Sequence, residues 1–71
     1  MWFVDHLRQC FGHVDTRDMP GGIGVSVTFP EHNRRFAGLW PADLEENDAN
    51  RSAVERFYRS RLDRWLSDCR P

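Results

Sequence analysis

SAVERFYRSRLDRWLSDC, residues 52–69, decides the fold class. Apolar residues stand at Val54, Phe57, Tyr58, Leu62, Trp65, Leu66 and Cys69, at steps of three, one, four, three, one and three. That is the period of a helix lying on a core, not of a strand. Ser52 stands three residues before Glu55. In this capping-box pattern the serine oxygen takes one orphan backbone N–H and the glutamate reaches back to another, so the spacing predicts a helix opening at Ser52. Phe57, Tyr58 and Trp65 lie on or beside one stripe, and rings of that size dominate what a small domain can bury.

That helix needs a partner surface. Ile23 to Phe29 alternates, with Ile23, Val25, Val27 and Phe29 on one face and Gly24, Ser26 and Thr28 on the other. Its β-branched content predicts a strand with one buried face. Pro30 ends it, Glu31, His32 and Asn33 turn, and Arg34 to Trp40 returns as the second arm of a hairpin. Two registers are open. A four-residue loop sets Phe29 opposite Arg34 and turns Phe36, Gly38 and Trp40 to the core. A five-residue loop sets Phe29 opposite Arg35 and leaves Phe36 and Trp40 as an exposed aromatic pair, because one residue of slip exchanges the faces.

At the other end, Phe3, Leu7, Cys10, Phe11 and Val14 share a helical stripe, which predicts a first helix over about residues 2–13, weakened at Gly12. Val14 to Gly22 reads as a loop with at most a short extended piece, since Met-Pro-Gly-Gly forbids regular structure. Pro41 to Asn47 reads as an acidic loop or a short helical turn. The expected architecture is therefore α+β in a single domain over residues 1–71, in the order α-β-β-α, with an antiparallel hairpin or small sheet packed against N- and C-terminal amphipathic helices. The helix–hairpin–helix order is loosely similar to that of double-stranded-RNA-binding domains. The basic loop and helix-terminal signatures of that family are missing here, so its function is not carried over.

Composition narrows the function classes. Net charge is −1, with 39% hydrophobic and 30% charged residues in a chain of 71. No global field drives such a chain onto DNA or an anionic membrane. All ten basic residues are arginine, the side chain that makes bidentate and stacked contacts. Met1 to Phe11 is too short and polar for the core of a signal peptide, and no apolar run approaches the ~20 residues of a membrane span. The expectation is a cytoplasmic protein without membrane contact. In a reducing compartment Cys10 and Cys69 are expected as buried free thiols; the alternative, a bridge between them, would tie the chain ends together.

Chemistry-bearing residues are few. His6, Cys10 and His13 fall at i, i+4 and i+7 of the first helix, the most metal-like set in the chain, with Asp15, His32 or Cys69 as a fourth donor. There is no Cys-x-x-Cys knuckle, and Cys10 sits in the apolar stripe, so the expectation is no metal and no cofactor. No nucleophile–base signature appears. Glu45 and Glu46 are adjacent on an exposed turn, and a chain of this size struggles to enclose a pocket, so no enzyme activity is expected. Arg34 and Arg35 at the hairpin tip, with Phe36 and Trp40 nearby, have the arginine-plus-aromatic make-up of interface hot spots. Asp43, Glu45 and Glu46 add an acidic turn.

These observations predict a non-enzymatic module that docks on a larger host or cognate protein, or on a second copy of itself, and blocks or bridges a surface. Small near-neutral cytoplasmic proteins of this character include phage-encoded inhibitors of host enzymes and defence systems, anti-CRISPR proteins among them. The rival expectation is a nucleic-acid-binding regulator using Arg56, Arg59 and Arg70 on the polar face of the last helix.

Overall fold

The computed structural model describes residues 1–69. Its elements are α1 (Trp2–Phe11), β1 (Val14–Met19), β2 (Gly22–Phe29), a single 3-10 turn (Pro30–His32), β3 (Arg34–Trp40) and α2 (Asp48–Asp68). The strands form one antiparallel sheet in the order β1-β2-β3. The order along the chain is thus α-β-β-β-α, the α+β architecture expected, with a third strand added to the predicted hairpin.

The additional strand is β1. It pairs with β2 from Val14 opposite Val27 to Met19 opposite Gly22. Only Val14 of its six residues is buried. An edge strand held by backbone hydrogen bonds needs no apolar alternation, which is why VDTRDM reads as a loop. Pro20–Gly21, a break in the sequence pattern, is the connection of a tight hairpin, with Gly21 at φ +89°.

The second hairpin takes the four-residue loop. Phe29 lies opposite Arg34, Val27 opposite Phe36, Val25 opposite Gly38 and Ile23 opposite Trp40. Asn33 closes the loop in the left-handed region at φ 52°, its N–H bonded to the carbonyl of Pro30 at 3.1 Å. Asparagine tolerates this conformation better than most residues. Phe36 and Trp40 therefore face the helices, and the exposed aromatic pair of the other register does not form.

Both helices cover the face that carries Ile23, Val25, Val27 and Phe29. Phe3, Val4 and Leu7 of α1 and Val54 and Tyr58 of α2 complete the buried core. Tyr58 sits at its centre. Its hydroxyl donates to the carbonyl of Val25 at 2.8 Å and accepts from Trp40 Nε1 at 2.9 Å. One side chain thus joins α2 to the central and edge strands with no polar atom left unmatched. Gly38 makes the close approach possible: a Cβ there would stand 2.8 Å from Phe57 Cε1 and 3.1 Å from the Tyr58 oxygen.

α2 starts at Asp48, four residues before the predicted opening. Asn47 is the cap, its Oδ1 accepting the N–H of Asn50 at 2.8 Å. An asparagine in this role is worth about 1 kcal/mol over alanine. Ser52 lies exposed inside the helix. Pro41 to Asn47 forms a turn, with the N–H of Leu44 bonded to the carbonyl of Pro41 at 3.2 Å. The indole of Trp2 donates to the carbonyl of Leu44 at 2.6 Å, fastening this segment to α1. Among the described residues no helix is long and apolar enough to cross a membrane.

Candidate functional site

The sheet has a covered face and an open one. Pairing register puts Asp15, Arg17 and Met19 of β1, Gly24, Ser26 and Thr28 of β2, and Arg35, Ala37 and Leu39 of β3 on the side away from the helices. Small side chains at Gly24, Ser26 and Ala37 leave an open trough of ≈ 620 Å3 there. Met19 and Leu39 form its apolar end. They are 47% and 53% exposed, two of only three large hydrophobic residues exposed to that degree among the described ones. The Met19 sulfur lies over Gly24, where a Cβ would stand 2.7 Å away. Arg17 and Arg35 rise from the two edge strands, against the single carboxylate of Asp15 on this face. None of the nine aromatic rings of the chain stands on it.

The sequence-predicted interface residues are dispersed over the molecule. Arg35 alone stands on the open face. Arg34 is on the helix side, its guanidinium 4.8 Å from the Trp65 ring centre, and His32 meets the same ring edge-on at 5.6 Å. Phe36 packs edge-to-face on Phe29 at 6.0 Å, and Trp40 on Phe57 at 5.3 Å, so both are half-buried parts of the core. Asp43, Glu45 and Glu46 are exposed in the segment before α2, where Glu46 pairs with Arg51 at 3.2 Å and the carbonyl of Glu45 accepts from the Asn50 side chain at 2.8 Å. The open trough itself went unread because its residues share no local pattern. Only the β1–β2 register brings Arg17 and Met19 beside Leu39.

Of the five arginines of α2, three make contacts within the fold. Arg59 Nε donates to Glu55 Oε1 at 3.1 Å while its guanidinium lies 5.1 Å from the Phe11 ring centre. Arg61 stacks over Phe57 at 4.8 Å, and Arg51 bonds to Asp48 as well as Glu46. Arg56 is exposed, and Arg70 lies outside the described residues.

The first-helix cluster is composed differently from its sequence reading. His13 lies beyond the end of α1, exposed, its carbonyl accepting the N–H of Thr28 at 2.9 Å. Its place is taken by Glu55 of α2. His6 Nε2 is 3.8 Å from Cys10 Sγ and 3.5 Å from Glu55 Oε2, and one donor atom from each residue lies within 4.8 Å of the others. All three side chains are half-buried. Burial pushes the Cys10 thiol up from its ordinary range; the charge of Glu55 adds to this and Arg59 opposes it. Cys10 is therefore a thiol at neutral pH, the opposite of an activated nucleophile. Both neighbours approach the same imidazole nitrogen, so the trio is no nucleophile–base–orienter chain, which needs both ring nitrogens. Cys69 is exposed, neither cysteine is bridged, and Cys69 is thus not the buried thiol the sequence predicted.

No family model, curated protein or solved structure matches this chain.

Proposed function

We propose that this protein is a non-enzymatic binding module that docks through the open face of its sheet on an acidic segment of a larger protein, and blocks or bridges that partner's surface. The observation that carries this reading is the composition of the face: two arginines against one aspartate, around a small-residue floor with exposed Met19 and Leu39 at one end. An uncovered sheet face with an apolar end inside a charged frame has the make-up of a docking surface, in which the apolar anchor supplies affinity and the frame supplies orientation. The charge excess favours an acidic partner over a second copy, because stacking two such faces sets arginine against arginine. The absence of rings from this face disfavours single-stranded nucleic acid, which small sheets bind by stacking bases on aromatic side chains. Of the residues in the nucleic-acid alternative on α2, Arg59 is engaged by Glu55 and Phe11 within the fold, and Arg56 is exposed. Two unbridged cysteines suit a reducing cytoplasm. Inhibition of a host enzyme or defence system is one form such docking takes.

The test is capture of partner from host lysate by the tagged full chain, with nuclease present and absent. A partner recovered in both conditions should be lost on Leu39→Asp and on the Arg17→Glu/Arg35→Glu double substitution, each weakening affinity by about 30-fold or more if these residues act as hot spots. Arg56→Glu, on the other side of the molecule, should change nothing. Capture that survives both face variants, or that disappears with nuclease, would refute the reading.

A further inference from the structure

The contact between α1 and α2 gathers an imidazole, a thiol and a carboxylate at one point, and these are the three side-chain types that bind zinc. Two of the three come from successive turns of α1, where His6 and Cys10 at i and i+4 project in the same direction. The third crosses from α2. With Zn–N near 2.0 Å, Zn–O near 2.1 Å and Zn–S near 2.3 Å, tetrahedral geometry puts nitrogen roughly 3.4 Å from oxygen and roughly 3.5 Å from sulfur. The separations here are 3.5 Å for His6 Nε2 to Glu55 Oε2 and 3.8 Å for His6 Nε2 to Cys10 Sγ. The two His6 edges stand within a few tenths of an ångström of those values; the third, Cys10 to Glu55, lies within 4.8 Å against roughly 3.6 Å in a tetrahedral site, so the two side chains draw together on binding.

The surroundings fit the same ion. Arg59 holds Glu55 by Oε1, which leaves Oε2 turned toward His6 and Cys10. Outer partners that fix a ligating carboxylate in this way are a regular part of zinc centres. The His6 ring is seated against Trp2, with ring centres 6.5 Å apart. A thiolate and a carboxylate would bring two negative charges against the one positive charge of Arg59, and a divalent cation offsets the remainder. The side chains of His6 and Glu55 are 22% and 32% exposed, so the ion has a route in and a fourth position reaches solvent.

We infer that His6, Cys10 and Glu55 form a zinc site that clamps α1 to α2 and keeps one coordination position open to water or to a donor from a partner. Binding replaces the proton on Cys10 Sγ with the metal and releases that proton to solvent, with no change of oxidation state. The inference stands independently of the open sheet face.

The experiment uses the full-length chain, reduced and freed of metal, titrated with zinc alone and then with cobalt as a spectroscopic substitute. One zinc per chain should bind and raise the melting temperature. The cobalt form should show a near-ultraviolet thiolate-to-metal charge-transfer band. Cys10→Ser should abolish that band, and Glu55→Gln, which keeps the side-chain shape, should weaken zinc binding at least tenfold. His13→Gln should leave both binding and spectrum unchanged. Absence of stoichiometric binding in the unsubstituted protein would overturn the inference. So would binding without the thiolate band, or binding lost on His13→Gln, since each assigns the metal to other residues. The unsubstituted chain gives the first two readings, so the outcome does not depend on any variant folding.

Discussion

Tyr58→Ala should strip the fold of a large share of its stability. The side chain has no exposed surface and lies at the junction of α2, β2 and β3. Removing a buried aromatic side chain costs about 3–5 kcal/mol. A domain of 71 residues has a total stability of about 4–10 kcal/mol. Circular dichroism through a urea titration checks this, and a midpoint close to that of the unsubstituted protein would contradict it. Tyr58→Phe separates the ring from its hydroxyl. It keeps the packing against Phe57, whose ring centre is 4.9 Å away, and leaves Trp40 Nε1 and the carbonyl of Val25 without their partner, for about 1–3 kcal/mol. The same hydroxyl makes the fold sensitive to alkali. Burial holds the phenol above its ordinary pKa of 10.0, the Trp40 hydrogen bond opposing in part. Below that pH both folded and unfolded chains keep the proton. Above it the unfolded chain releases a proton that the folded chain retains, so stability falls as pH rises. Tyr58→Phe should flatten this decline.

Gly22→Ala should cost about 2–3 kcal/mol, more than Gly21→Ala next to it. The two separate conformation from space. Gly21 has φ +89° with open space around its missing Cβ, so alanine there meets a backbone penalty of about 1–2 kcal/mol and nothing else. Gly22 has φ +156°, and a Cβ there would run into the carbonyl of Trp40, with the carbonyl carbon 3.0 Å away. A carbonyl inside a sheet cannot turn aside as a side chain can, so the end of the β2–β3 pairing must open. Thermal melts of the two variants side by side decide the matter, and equal losses would show that the Trp40 backbone gives way freely.

These positions show where the sequence speaks and where it stays silent. The faces of α2 and β2 were legible because each has a periodic apolar pattern that one core absorbs. The start of α2 was misplaced because Ser52 and Glu55 reproduce a cap pattern inside the helix, while the working cap, Asn47, precedes a turn with no apolar period. The register of β2 and β3 was undecided because Phe36 and Trp40 on one face compete with Ala37 and Leu39 on the other. The Tyr58 hydroxyl settles it by holding Trp40 inward. The His6–Cys10–Glu55 cluster was half legible. Spacing along α1 finds His6 and Cys10, but only the approach of α2 supplies Glu55 and discards His13.

The connections of the fold also set a sequence of events in time. The three strands are joined by a two-residue turn and a four-residue loop, so the meander closes through near neighbours in the chain. The two helices flank it, and their contact, His6 to Glu55 included, must bring together residues from opposite ends of the chain. Closing so long a loop is entropically expensive and is repaid only after the sheet offers a surface to land on. The helix–helix seam is thus expected to form late in folding. A substitution that tightens it is therefore expected to slow unfolding while leaving the folding rate nearly unchanged, which stopped-flow folding and unfolding rates of such a variant would check.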